Sequence, residues 1–196
     1  MRLNSRPVAA LVAIATIAWS GASAYPQTQA DGQPVNERGQ AGAPVTVIEY
    51  CRYESGACAR LNVVLTTVLR DYEDSVRFIF RYLPPADAPD VSFEYCAALA
   101  AGAQGQFWQM HDMLFANRGR TAPSDLLAMA RQLRLDTERF RTDLNSQAIR
   151  DAAQREHEAA AAEGITVVPS VAVNGRLTNV NTALELRAAI QEALVR

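Results

Sequence analysis

The chain contains no lysine. All 19 of its basic residues are arginine, which we read as compositional bias and not as a functional signal. Positive charge is short overall, because 21 Asp and Glu leave a formal net charge of -2. That balance argues against nucleic acid or an anionic membrane surface as partner. Histidine is scarce as well: His111 and His157 are the two present. They are far apart and have no cysteine at metal-ligand spacing, so no zinc site or other metal site is expected. Both read as packing or helix-surface residues. The N-terminal apolar run, Val8 to Trp19, is too short to span a bilayer comfortably.

That run has another use. Arg2 and Arg6 precede it, and Ser20-Gly21-Ala22-Ser23-Ala24 ends it in a small-x-small pattern. Residues 1–24 therefore read as a signal peptide cleaved after Ala24, with an uncleaved anchor as the alternative. The mature protein is expected to be periplasmic or secreted, with no stable membrane insertion. Residues 25–43 are rich in Gln, Gly, Pro and Asn and read as a flexible linker. The remaining chain, residues 44–196, suits one globular domain, at 49% hydrophobic and 20% charged residues for the whole sequence.

Periodicity gives the order of elements. Val45 to Tyr50 is β-branched and apolar, a buried strand. Leu61, Val64, Leu65, Val68 and Leu69 recur at helical spacing. Ser75 to Leu83 alternates as a second strand, and Pro84-Pro85 stops it. Helical patterns follow over 91–103, 106–116, 123–133, 136–144 and 146–163. Ser170 to Val173 returns to strand, Asn174-Gly175 makes a two-residue hairpin turn, and a short strand and an amphipathic helix close the chain. The expected fold is α/β, with a helical insert over about 90–163 inside a βαβ…ββα frame.

Three cysteines remain after export: Cys51, Cys58 and Cys96. Outside the cytosol they can pair or be oxidised, and an odd number leaves one over within a monomer. Cys51–Cys96 as a structural disulfide and Cys51–Cys58 as a displaced redox pair are both open on the sequence. Each cysteine is otherwise a small buried hydrophobe.

Three segments carry a family resemblance: Ala43 to Tyr50 (APVTVIEY), Gln104 to Phe115 (QGQFWQMHDMLF) and Gly164 to Arg176 (GITVVPSVAVNGR). In this order and behind a leader, they make the chain resemble the DsbA-like branch of the thioredoxin superfamily over about residues 43–196. The resemblance implies a thioredoxin fold with an inserted helical subdomain, and protein or peptide thiols and disulfides as partners. It implies that Pro169 is a cis-proline facing the active site, with Val168 before it. It implies that Glu49 is a buried acid under the site. It places Ser55 and Cys58 at the two positions of the family's Cys-x-x-Cys. The first cysteine is thus replaced by serine, and Gly56 stands where a proline is usual.

A serine hydroxyl forms no disulfide, so a dithiol cycle at positions 55 and 58 is excluded. Ser55 reads as a helix N-cap. Cys58, in the first helical turn, is favoured as a thiolate by the helix dipole. Three functions are consistent with these residues. The first is thiol chemistry through Cys58, alone or with Cys51. The second is a redox-inactive, chaperone-like module that binds extended peptides at Val168-Pro169. The third is a glutathione-dependent transferase using Ser55, as the resemblance to kappa-class glutathione transferases would imply, with glutathione as the cofactor.

Overall fold

The computed structural model describes residues 36–85 and 92–196. The expected leader, residues 1–24, lies outside the described residues. Strands β1 (Glu37–Arg38), β2 (Val45–Cys51), β3 (Val76–Tyr82), β4 (Ser170–Val173) and β5 (Arg176–Thr178) form one sheet in the order β1-β3-β2-β4-β5. β2 and β3 are parallel, joined through α1 (Gly56–Leu69), while β4 is antiparallel to β2 and β5 to β4. Among the described residues, five helices lie between β3 and β4: α2 (Phe93–Gly102), α3 (Phe107–Ala116), α4 (Pro123–Gln132), α5 (Thr137–Leu144) and α6 (Gln147–Ala162). Helix α7 (Ala183–Leu194) closes the chain and packs on α1. The βαβ…ββα frame with its helical insert is the expected thioredoxin fold.

Local chemistry explains the boundaries. Ser55, Ser92, Ser146 and Thr182 each accept a backbone N–H at the start of a helix, and Thr182 with Glu185 makes a full capping box. Asn174 and Gly175 both have positive φ, 47° and 76°, as a type I′ hairpin turn requires. The Asn174 side chain also accepts the Thr46 N–H at 2.7 Å, tying the β4–β5 turn to the start of β2.

Strand alternation assigns the two faces of the sheet. Val45, Val47, Glu49 and Cys51 share one face of β2, in register with Val76, Phe78, Phe80 and Tyr82 of β3. That face carries the buried core with α1, α2 and α3. Tyr50 and Arg81 point to the other face and meet α6. Arg81 donates to Glu156 at 2.7 Å, and the Tyr50 hydroxyl donates to Glu163.

The expected linker is corrected at its C-terminal end. Residues 36–38 belong to the domain, because β1 pairs antiparallel with β3. Asn36 and Glu37 are buried. Asn36 donates to the Phe80 carbonyl and to Glu156, each at 3.0 Å, and Arg77 Nε donates to Glu37 at 2.8 Å. The Arg38 guanidinium lies 4.4 Å from the Trp108 ring centroid. A two-residue strand held by polar partners has no apolar period to read, so its composition resembled a tether.

Gly39 completes this edge. Its φ is +90°, and a Cβ there would lie 2.2 Å from the Val76 carbonyl oxygen. Gly39→Ala must therefore move β1 off β3, and is expected to cost about 2 kcal/mol or more. Urea unfolding of the two proteins measures it, and an unchanged midpoint would mean that this edge is not part of the cooperative fold.

Candidate active site

Cys51 and Cys58 form a disulfide, with Cα atoms 5.6 Å apart and a sequence separation of 7. Cys51 ends β2, and Cys58 sits in the first turn of α1 on the same side of the sheet. Cys96 is the free cysteine, buried in α2, where desolvation pushes its thiol up to about 11. Of the two pairings left open by the sequence, the displaced pair is therefore the one formed. Cys51–Cys96 is not.

Ser55 and Cys58 do not make a reacting pair. Ser55 Oγ accepts the Cys58 N–H at 3.3 Å, and the backbone there is extended. This is N-cap geometry, contributing about 1 kcal/mol to α1. Capping accounts for the serine without a bound thiolate. Cys58, expected to act alone or with Cys51, is bonded to Cys51.

Both bonded cysteines are fully buried, at 0% exposure. Their surroundings differ. Ser55, Gly56 and Ala57, just before Cys58 in the chain, are half-buried, whereas Glu49, Tyr50 and Tyr82 around Cys51 are buried. Arg52, just after Cys51, is half-buried too, so the partly exposed stretch runs between the two cysteines.

Glu49 is the most costly residue of the site. It is fully buried, and neither carboxylate oxygen has a hydrogen-bond partner among the described residues. Desolvation raises its pKa to about 8, with Arg38 opposing and Asp112 adding to the shift. Near neutral pH it is mostly a carboxylic acid. It shares the strand face of Cys51, two residues away.

The Val168–Pro169 peptide bond is cis. The last β2–β4 pair is Tyr50 with Ser170, so Pro169 continues the register to the level of Cys51. Val168 packs on the core. Val167 before it is 67% exposed. Pro169, Ser170, Val171 and Leu177 line a cleft of about 280 Å³.

Sequence reasoning did not single out Tyr53 or Asn62. The Tyr53 hydroxyl lies 3.1 Å from His111 Nδ1. His111 Nε2 lies 3.1 Å from Asn62 Oδ1, and Asn62 donates to Asp112 at 3.2 Å. His111 is fully buried, and desolvation holds its pKa well below the usual imidazole range. A signal for this existed: His111 falls on the helical stripe of Phe107, Met110 and Leu114, which faces the core. Among the described residues, no group of acidic, His and Cys side chains could hold a metal, and no helix is long and apolar enough to cross a membrane.

The fold thus brings together a buried disulfide, joining the end of a central strand to the first turn of the next helix, a cis-proline at its level and a buried acid on the same strand face. A thioredoxin family model matches residues 31–192, and the chain belongs to that family. A thioredoxin-like oxidoreductase from Silicibacter pomeroyi is 26% identical with a TM-score of 0.69, covering 82% of this chain and 92% of that one. BdbD from Bacillus subtilis is 19% identical with a TM-score of 0.72, covering 82% and 93%. DsbA from Xylella fastidiosa is 22% identical with a TM-score of 0.62, covering 79% and 86%; at these last two identities the likeness is one of fold. Among curated proteins, a segment of the Na(+)/H(+) antiporter NhaA 3 of Salinispora tropica is 39% identical over 140 residues, 71% of this chain. The NhaA of Herminiimonas arsenicoxydans is 32% identical over 139 residues. The chain spans 21% and 22% of the length of these two relatives.

Proposed function

We propose that this protein exchanges thiols and disulfides with exported protein or peptide substrates through the Cys51–Cys58 couple. Glu49 carries the reading. A disulfide that only stapled the fold would need no unpartnered carboxyl buried on its strand face, whereas an exchanging one must take up and release protons there.

A substrate thiolate attacks Cys58 Sγ, in the first turn of α1, and forms a mixed disulfide. The Sγ–Sγ bond breaks and Cys51 leaves as a thiolate. The Glu49 carboxylic acid gives Cys51 its proton and becomes a carboxylate. A second substrate thiolate then attacks the substrate sulfur of the mixed disulfide and releases Cys58 as a thiolate at the helix N-terminus, where the dipole favours it. The substrate dithiol has lost two electrons to the protein disulfide. In reverse, the Glu49 carboxylate takes the Cys51 proton and Cys51 displaces the product.

The cleft beside Pro169, with Val167 and Leu177 exposed near it, is suited to an extended apolar peptide. It supports substrate binding, and it also supports the second reading, a peptide-binding module without redox chemistry. The leader pattern supports export to the periplasm or medium, a setting that suits a disulfide.

Reduction by dithiothreitol without denaturant, followed by alkylation and mass spectrometry, tests the redox reading. Cys51 and Cys58 are expected to label together while the fold stays intact, and with oxidised glutathione supplied to re-form the protein disulfide, catalytic amounts of the protein should speed oxidation of a dithiol peptide. A disulfide that reduces only as the protein unfolds would make it a staple and leave the Pro169 cleft as the functional site.

A further inference from the structure

Both sulfurs are fully covered, and thiol exchange requires an approach to one of them from outside. Between the two bonded residues runs a short loop, 52–55, that leads into the first turn of α1. Tyr53 is its inward anchor, 1% exposed. Its ring packs on Phe115 at 4.9 Å and Phe80 at 5.5 Å between centroids. Its hydroxyl meets His111 Nδ1, and through His111 and Asn62 the chain of bonds ends on Asp112.

One proton arrangement satisfies every member. The Asn62 amide nitrogen donates to the Asp112 carboxylate, so Asn62 Oδ1 accepts from His111 Nε2–H. The neutral imidazole then accepts the Tyr53 O–H at Nδ1. Tyr53 comes from the loop, His111 and Asp112 from α3, and Asn62 from α1, one turn beyond Cys58. The bonds thus join the loop to the two helices packed against it.

We propose that the Tyr53–His111 hydrogen bond is the latch that sets how often the disulfide is exposed to an incoming thiol. Tyr53, His111 and Asn62 are positioning residues for the exchange. The proposal rests on the redox reading above. With the loop closed, the bond satisfies two polar groups in an apolar cluster. With the loop swung out, water satisfies both. Removing one partner leaves the other unpaired only in the closed state, so the loss shifts the balance toward opening.

The experiment measures the rate of disulfide reduction by dithiothreitol against guanidinium concentration, well below the unfolding transition. In the wild type, a rate independent of denaturant at low concentration marks local opening. Tyr53→Phe keeps the ring and removes the hydroxyl, and should raise that plateau about ten-fold. His111→Phe removes the other partner and should act in the same direction, so the test survives if one variant folds poorly. Phe140→Leu, in the buried face of α5, is the control: it should lower the unfolding midpoint and leave the plateau in place. A Tyr53→Phe plateau equal to that of the wild type, or one matched by Phe140→Leu, overturns the latch while native reduction of the wild type keeps the redox reading. A wild-type rate that follows global unfolding at every concentration removes the redox reading and the latch with it.

Discussion

Cys51→Ala is expected to stop turnover and to trap substrate. With Cys51 gone, Cys58 becomes a lone thiol in the first turn of α1. Oxidised glutathione, used as a small disulfide probe, should convert it to a mixed disulfide that no internal thiol can resolve. Mass spectrometry should show one adduct per chain, on Cys58, and catalysis of dithiol oxidation should fall to background. Cys58→Ala should also be inactive but should gather adduct far more slowly, because Cys51 lies at the strand end among buried neighbours. The reverse pattern, with fast adduct on Cys51, would exchange the two roles. Adduct on neither variant, with both folded, would rule out exchange at this pair. Both substitutions also open the loop closed by the disulfide. For a separation of 7, loop entropy predicts a loss of about 2 to 3 kcal/mol, read as a lower urea midpoint. That loss is common to a staple and a redox pair, so the adduct decides between them.

The fold was legible because it is written in long, local patterns. The runs at 45–50 and 75–83 and the helical stripes from 91 to 194 each repeat a period often enough to identify the element. The hairpin at Asn174-Gly175 needs two positive φ angles, and those residues supply them. What escaped was short or long-range. β1 is two residues long, and the partners of Glu37 and of Asn36 before it, Arg77, Phe80 and Glu156, lie some 40 to 120 residues on. The site was half legible. Glu49 is buried and Pro169 is cis, both features that the resemblance implied. Disulfide partners, by contrast, are a matter of distance, and spacing alone left Cys51 with two choices. Ser55 is legible as an N-cap, because a serine just before a helical pattern is a local signal, and its geometry is that of a cap. Tyr53 and Asn62 carry no motif. Their importance comes from sitting at 3.1 Å from the same imidazole, a fact of tertiary structure.

Glu49→Gln should move stability and catalysis in opposite directions. The ordinary pKa of the carboxyl is 4.5, and burial raises it to about 8 in the folded protein. Between these values the unfolded chain has released the proton while the folded protein keeps it. The folded state therefore binds more protons, and this group makes stability fall as pH rises from about 4.5 to about 8, with no further change above. At about 1.4 kcal/mol per pH unit the full difference is on the order of 5 kcal/mol. The amide that replaces the carboxyl does not titrate. The gap in unfolding free energy between variant and wild type should widen in favour of the variant across that window, and should be small at its acid end. A flat difference would mean that Glu49 ionises normally and cannot serve as the proton store. Exchange should change the other way. The amide fills the same space but cannot protonate the departing Cys51 thiolate or deprotonate the Cys51 thiol, so turnover near neutral pH should drop about 100-fold. A residue kept for packing would lose activity only with stability. Greater stability with slower exchange is the signature of a buried acid retained for proton transfer, and it accounts for why the fold tolerates so unfavourable a side chain beside its disulfide.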